Sequence, residues 1–198
     1  MKKIMFNDNY GLTKSVLEGR KTQTRRIVPE SALIDWEIHD KYHNLSDAVG
    51  HRMDFEYFLL TYARYEVGEE VAVAQSYRDA IKEVGCLKNL LGGHPLPSAK
   101  GIKNKMFVKA DLMPHRIRIT NVRVERLQDI SEEDCLKEGI IEDLKGVQYS
   151  HLTNVGYCGQ YPFDTPRSAY AALIDHISGK GTWDSNPWVF VYDFELIK

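Results

Sequence analysis

The stretch Glu18-Gly19-Arg20-Lys21-Thr22-Gln23-Thr24-Arg25-Arg26 marks the junction between a short helix and a strand. Before it, three apolar residues recur at helical spacing, namely Leu12, Val16 and Leu17. Gly19 stands where a left-handed C-terminal cap is expected. Residues 22–28 are rich in Thr and β-branched side chains and stop at Pro29, which predicts a strand. The basic residues crowded at this junction are the first candidates for a functional site.

Four further strands are predicted along the chain. The first covers residues 71–77, with Val71, Val73 and Tyr77 on one face. The second covers Met106 to Asp111. In residues 116–126 the alternation of apolar and polar side chains slips by one at Thr120-Asn121, which is typical of a β-bulge. The last strand, residues 188–197, alternates aromatic and other side chains and is expected to lie in the core.

Two more helices have capping signals, and three segments are predicted to be insertions. Ser131 begins a capping box for a helix that Gly139 ends, and Thr165 caps a helix that ends at Gly179. We interpret residues 29–65 as an irregular aromatic-rich insertion and residues 78–105 as a long surface loop rich in Gly and Pro. Residues 142–164 form the third insertion, and the whole chain, 1–198, is predicted to be a single domain.

Short strands with a few helices between them, and no regular β-α-β alternation, favour an α+β fold built on a small mixed or antiparallel barrel. The sequence contains no GxGxxG, Walker or GxSxG motif. Dinucleotide-dependent oxidoreductases, P-loop enzymes and serine hydrolases of the usual folds are therefore disfavoured.

Charge is nearly balanced overall but unevenly distributed. Lys and Arg total 26 against 28 Asp and Glu, a net charge of -2, which disfavours a protein that coats nucleic acid indiscriminately. Residues 14–26 and 100–126 are basic, whereas residues 129–143 are acidic. A fold that brings the three segments together would create a polarised cleft, while the simpler interpretation is that each is a solvated face.

Cysteine and histidine patterns suggest neither a disulfide framework nor a metal site. Cys86, Cys135 and Cys158 are widely spaced, and the seven His residues form no ligand motif, so we expect no metal and no cofactor. The longest apolar run, residues 188–192, is too short to span a membrane. The polar residues that follow Ile4-Met5-Phe6 do not continue a signal peptide, and a cytoplasmic location is expected.

The sequence resembles the ASCH domain family of the PUA-like superfamily, especially its longer members from bacteria and their phages. The main motif is Gly-x-Lys-Thr-x-x-x-Arg after a first helix, matched by residues 19–26. The resemblance continues through residues 67–71, residues 122–131 with Glu138-Gly139, and residues 183–188. It implies a PUA-like barrel with a cleft for RNA or a nucleoside beside the first helix.

Some small members of that family remove the acetyl group of N4-acetylcytidine with a lysine, a threonine and a glutamate. By resemblance these roles are assigned to Lys21, Thr24 and Glu138. The chemistry is coherent, because amide hydrolysis needs a nucleophile, a base and an acid for the leaving amine. In a regular strand residues 21 and 24 would point to opposite faces, so Lys21 must lie in the turn before the strand.

The candidate substrate-binding residues are Arg20, Arg25, Arg26, Tyr77 and Trp183. The arginines would lower the pKa of Lys21, and Arg26 would also recognise a phosphate or carbonyl. Trp183 would stack on a base. The alternative is a non-catalytic RNA-binding domain that uses Lys21, Arg26 and residues 100–126 on phosphates. The oligomeric state is left open.

Overall fold

The computed structural model describes residues 1–45, 53–84, 101–142, 149–150, 163 and 165–197. The helices are α1 (Leu12–Leu17), α2 (Glu30–Leu45), α3 (Phe55–Leu60), α4 (Tyr77–Val84), α5 (Glu132–Lys137), α6 (Pro166–Ser178) and α7 (Thr182–Ser185). The strands are β1 (Lys3–Ile4), β2 (Gln23–Ile27), β3 (Glu70–Val73), β4 (Arg116–Arg126), β5 (Ile141–Glu142), β6 (Tyr149–Ser150) and β7 (Trp188–Ile197). Most of the predicted insertion 142–164 lies outside the described residues.

Five strands form one mixed sheet in the order β1-β3-β4-β7-β2, so the fold is α+β as predicted. β1 pairs with β3 in parallel, and the other neighbours are antiparallel. The register of β4 against β7 shifts between Ile119 and Asn121, which confirms the predicted bulge. The described strand pairs leave the sheet open between β1 and β2, so the closed barrel is not confirmed.

The open edges of the sheet nevertheless come within reach of each other. Arg26 on β2 donates from Nη2 to the carbonyl oxygen of Met5, next to β1, at 2.7 Å. A two-residue strand such as β1 offers few backbone groups for pairing, and here a side chain makes the contact instead. The sheet therefore curls, and the space between its edges is where ligand-sized pockets form.

Buried residues lie on both faces of β7, the strand between β4 and β2. Val189, Phe190, Val191 and Tyr192 are all buried, and Tyr192 is among the largest side chains that are fully enclosed. The prediction of a core strand is confirmed over its whole length. A strand between two neighbours with cover on both faces buries consecutive residues.

Three local predictions were wrong. Residues 29–65 are not irregular, since they contain α2 and α3. The apolar residues of α2 do not form one buried face, because Ile34, Ile38 and Tyr42 are exposed while Ala32 is buried. Because the apolar residues do not recur on one face, the spacing of apolar residues does not predict this helix.

The other two errors lie between β3 and β4, where α4 also includes residues 78–84 of the predicted surface loop 78–105. Residues 85–100 of that loop lie outside the described residues. Tyr77 begins α4 rather than ending a strand, because Ser76 caps that helix by accepting a hydrogen bond from Asp79 N at 3.2 Å. Met106 to Asp111 forms 3-10 turns at Lys105–Phe107 and Ala110–Leu112. The side chains of Met106 and Phe107 are exposed, whereas that of Val108, between the two turns, is buried.

Candidate functional site

Lys21 lies in the turn between α1 and β2. Gly19 has φ +73°, the left-handed conformation expected of the helix cap. The backbone N–H groups of Arg20 and Lys21 both donate to the carbonyl oxygen of Ser15, at 2.9 and 3.0 Å, and β2 begins only at Gln23. Lys21 therefore precedes the regular strand, which is the condition for its side chain to face the same space as Thr24.

Glu138 is brought to Lys21 by the end of α5. The backbone N–H of Thr22 donates to the carbonyl oxygen of Lys137 at 3.0 Å, which fixes the end of α5 against the start of β2. Gly139 follows with φ +102°, and a Cβ there would lie 3.3 Å from Leu12 Cδ2 and 3.6 Å from Lys21 Cδ. The positive φ favours a glycine here, and an added Cβ would be crowded only by Leu12, since its distance to the lysine stem is an ordinary van der Waals contact.

The ammonium of Lys21 is enclosed with the carboxylate of Glu138. Nζ donates to the Glu138 backbone carbonyl at 2.7 Å and also to Oε2 of the same residue. The two side chains are only 1% and 6% exposed. Burial lowers the pKa of Lys21, and the charges of Arg26 and Arg25 act in the same direction, whereas Glu138 opposes the shift.

Arg25 contacts the other oxygen of the same carboxylate. Its Nη1 lies 3.2 Å from Glu138 Oε1, and its Nη2 lies 2.6 Å from Glu125 Oε1 and 3.2 Å from Asp134 Oδ2. The guanidinium also donates to Gln23 Oε1. Because protein groups already occupy its donors, Arg25 orients Glu138 rather than recognising a substrate. We call Lys21, Arg25, Glu138, Glu125 and Asp134 the buried ion cluster.

The predicted basic and acidic segments meet, but largely as ion pairs. Arg123 Nη2 lies 2.7 Å from Asp134 Oδ2, and its Nη1 lies 2.7 Å from Asp193 Oδ2. Lys105 pairs with Asp8 at 2.7 Å. Much of the charge is thus neutralised within the protein, and the segments do not form an uncompensated polarised cleft.

A pocket of about 220 Å³ lies against the buried ion cluster. Its polar lining consists of Asn7, Lys21, Thr24, Arg25, Arg26, Glu138 and Ser178. Apolar side chains cover the opposite side, including Phe6, Leu12, Tyr170, Leu173 and Ile174. We call it the lysine pocket. The structure therefore brings together the three residues assigned as catalytic by resemblance, with Arg25 and Arg26 beside them.

Three predicted substrate-binding residues lie outside the lysine pocket. Arg20 is exposed and pairs with Glu18 at 2.6 Å. Tyr77, on α4, accepts a hydrogen bond from Lys109 N at 3.1 Å. Trp183, on α7, packs edge-on against Tyr170, with ring centroids 6.3 Å apart.

The sequence analysis missed the apolar residues that line the lysine pocket. Tyr170, Leu173 and Ile174 come from α6, and Phe6 follows β1. The helix was predicted from its cap, but none of its residues was assigned to a site. Burial raises the pKa of Tyr170 well above its ordinary value, so its phenol is neutral beside the cluster.

Among the described residues, no group of His, Cys, Asp and Glu side chains is arranged to hold a metal ion. In the same part of the chain, no helix is long and apolar enough to cross a membrane. No protein-family model, curated protein or solved structure matches the chain.

Proposed function

We propose that the protein is an amidohydrolase that removes an acyl group from a modified pyrimidine nucleoside such as N4-acetylcytidine. The observation that carries the proposal is the buried Lys21, whose pKa is lowered and whose Nζ donates to Glu138 in a pocket that also contains Thr24. A buried titratable pair beside a concave pocket is the arrangement expected of a reaction site.

The fold is compatible with a PUA-like domain of the ASCH type, which we propose as the family. The helix-turn-strand motif of residues 19–26 places its lysine and threonine at the lysine pocket. The curled sheet leaves an opening between its edges, beside α1. Both features support the resemblance that assigns Lys21, Thr24 and Glu138 to catalysis.

In the first step, neutral Lys21 Nζ takes the proton of the Thr24 hydroxyl while Oγ1 attacks the acyl carbon. A lysine acts as a base near neutral pH only if its pKa is lowered, and burial supplies that shift. The product of this step is a tetrahedral intermediate joined to Thr24 through the new C–O bond.

In the second step, the C–N bond breaks and the exocyclic nitrogen leaves with a proton. Glu138 relays that proton from the Lys21 ammonium, to which its Oε2 is hydrogen-bonded. Arg25 holds the other carboxylate oxygen and so keeps Glu138 in position. The acyl group is then an ester of Thr24.

In the third step, water adds to the ester and transfers its proton to Lys21. As the intermediate collapses, the Lys21 ammonium returns this proton to the Thr24 oxygen, and the free carboxylic acid leaves. The three steps return every side chain to its starting protonation state. Arg26 lines the pocket beside Lys21, Thr24 and Glu138.

The dimensions of the lysine pocket favour a small substrate. Its volume of about 220 Å³ is below the roughly 300–1,000 Å³ of pockets for drug-sized ligands. Its aromatic and aliphatic cover suits a planar base with an acyl substituent, and its polar side suits the reacting amide.

The test is the conversion of N4-acetylcytidine to cytidine, followed by chromatography. We expect turnover by the wild-type protein and its loss in Lys21→Ala, Thr24→Val and Glu138→Gln. Arg20→Ala, an exposed arginine outside the pocket, is the matched control and should retain activity. Failure of folded wild-type protein to release cytidine would refute this substrate, and salt-sensitive binding of RNA would then favour the non-catalytic alternative.

A further inference from the structure

A second pocket, of about 330 Å³, lies on the other side of Arg26. Met5, Arg26 and Ile27 line both this pocket and the lysine pocket. The hydrogen bond from Arg26 Nη2 to the Met5 carbonyl, 2.7 Å long, joins the two edges of the sheet between them. We call the second space the arginine pocket. A ligand in the lysine pocket would thus have an adjacent space for a further chemical group.

Two arginines without a carboxylate partner line the arginine pocket. Among the residues that the structure describes, neither Arg26 nor Arg64 has an acidic group within ion-pair distance, and both are exposed. In contrast, Arg25 contacts three carboxylates, and Arg118 contacts two. Lys3 also lines the pocket, but its ammonium donates to the Val108 carbonyl at 2.8 Å.

The wall behind these arginines is rigid and aromatic. Tyr65 donates from its hydroxyl to the Lys3 carbonyl at 2.9 Å, and the Tyr192 hydroxyl accepts from Arg64 N at 3.0 Å. Burial raises the pKa of both phenols, while the positive charges of Arg26 and Arg64 oppose the shift. Both arginines and both tyrosines line the same pocket.

We propose that the arginine pocket binds a phosphate group of the substrate through Arg26 and Arg64, so that the enzyme acts on a nucleotide in preference to the nucleoside. This inference rests on the proposed function for the reaction in the neighbouring pocket. A phosphate monoester carries roughly -1.5 to -2 charges at neutral pH, which matches two uncompensated arginines. Guanidinium groups bind phosphate through charge-assisted, often bidentate hydrogen bonds.

The first test compares kcat/KM for N4-acetylcytidine with kcat/KM for its 5′- and 3′-monophosphates. We expect at least about a tenfold advantage for one of the monophosphates, as one or two charge-assisted hydrogen bonds would give. Arg64→Gln should remove most of that advantage without changing kcat/KM for the nucleoside. Arg20→Gln, an exposed arginine paired with Glu18, should leave the advantage intact. Equal use of all three substrates by the wild type would overturn the inference.

The second test separates the pocket from the reaction. Binding of cytidine and of its 5′- and 3′-monophosphates is measured by calorimetry for the wild type, Arg64→Gln and Arg20→Gln. Tighter binding of one monophosphate that is lost only in Arg64→Gln supports the pocket even if N4-acetylcytidine is not hydrolysed. Equal affinity for cytidine and both monophosphates, or an advantage that survives in Arg64→Gln, would overturn the inference while leaving the hydrolase proposal to its own assay.

Discussion

The two ends of β4 carry the same types of charged residue in opposite environments. Near its last residues Glu125 pairs with Arg25, whose side chain is 1% exposed. Near its first residues Arg118 pairs with Glu70 and Glu195, and these side chains are 41–55% exposed. Sequence alone gives no distinction between the two groups, since both consist of Arg and Glu on neighbouring strands.

The difference in burial indicates that the two groups of charged residues have different roles. Exposed ion pairs contribute about 0–1 kcal/mol to the free energy of unfolding and are typical of solvent-exposed surfaces. A buried ion pair often contributes no more than a well-packed apolar pair, because its desolvation is costly. The buried ion cluster is therefore better explained by chemistry at the lysine pocket than by stability. Four experiments test this difference between the buried and the exposed charges.

The largest expected effect is on turnover. Removing the proposed base with Lys21→Ala should lower kcat for N4-acetylcytidine by about 10³-fold or more, because general-base catalysis contributes roughly 10²–10⁴-fold. Arg118→Ala, from the exposed group, should leave kcat within about twofold of the wild type. Comparable losses in both variants would remove the functional distinction between the two ends of β4.

The second effect is on stability. Arg25→Met should lower the free energy of unfolding by about 3–5 kcal/mol, because three carboxylates lose a buried partner. Arg118→Met should cost less than about 1 kcal/mol. Urea unfolding of the two variants measures the difference directly, and equal midpoints would contradict the assigned environments.

The third effect concerns the glycine beside Lys21. Gly139→Ala should cost about 2–3 kcal/mol, since the residue has φ +102° and its Cβ would lie 3.3 Å from Leu12 Cδ2. Gly68→Ala is the matched control, because Gly68 has φ +86° but no heavy atom within 4 Å of the added Cβ. That variant should lose only about 1 kcal/mol. A larger loss of stability in Gly68→Ala than in Gly139→Ala would show that contacts of the added Cβ are not the cause of the destabilisation.

The smallest effect is the pH dependence of stability. The pKa of Lys21 is lower in the folded state than in the unfolded chain, where it is about 10.4. At a pH between these two pKa values, Lys21 is therefore more protonated in the unfolded chain than in the folded protein. The contribution of Lys21 to the free energy of unfolding should therefore rise with pH across this interval. The stability difference between wild type and Lys21→Met, measured at several pH values, should grow in favour of the wild type. A difference that is constant or shrinks would mean that burial does not depress the pKa.

The helices and strands that were predicted correctly are those indicated by short patterns of neighbouring residues. β7 and the bulged strand β4 follow from their alternation, and α5 and α6 follow from their caps. The helix α2 was missed because its apolar residues do not share a buried face, although Glu30 follows a proline as a helix start often does. The opening between β1 and β2 depends on the curl of the whole sheet, which no local pattern reports.

The candidate site was only partly accessible from sequence. Lys21 and Glu138 are 117 residues apart, and the resemblance rather than any periodicity paired them. Arg25 was expected to bind substrate, but the number of carboxylates around it could not be read from the chain. Arg64 was missed because it lies in an aromatic-rich segment without a regular pattern. It becomes notable only in the structure, where no described residue provides its guanidinium with a carboxylate partner.

The most direct test of the central claim is the titration of Lys21 itself. Its Cε–Hε resonance can be followed by heteronuclear NMR and assigned by its absence in Lys21→Arg. If the buried ion cluster serves proton transfer, the pKa of Lys21 should lie below the ordinary lysine value of about 10.4. A pKa of Lys21 at or above that value would contradict its role as the base.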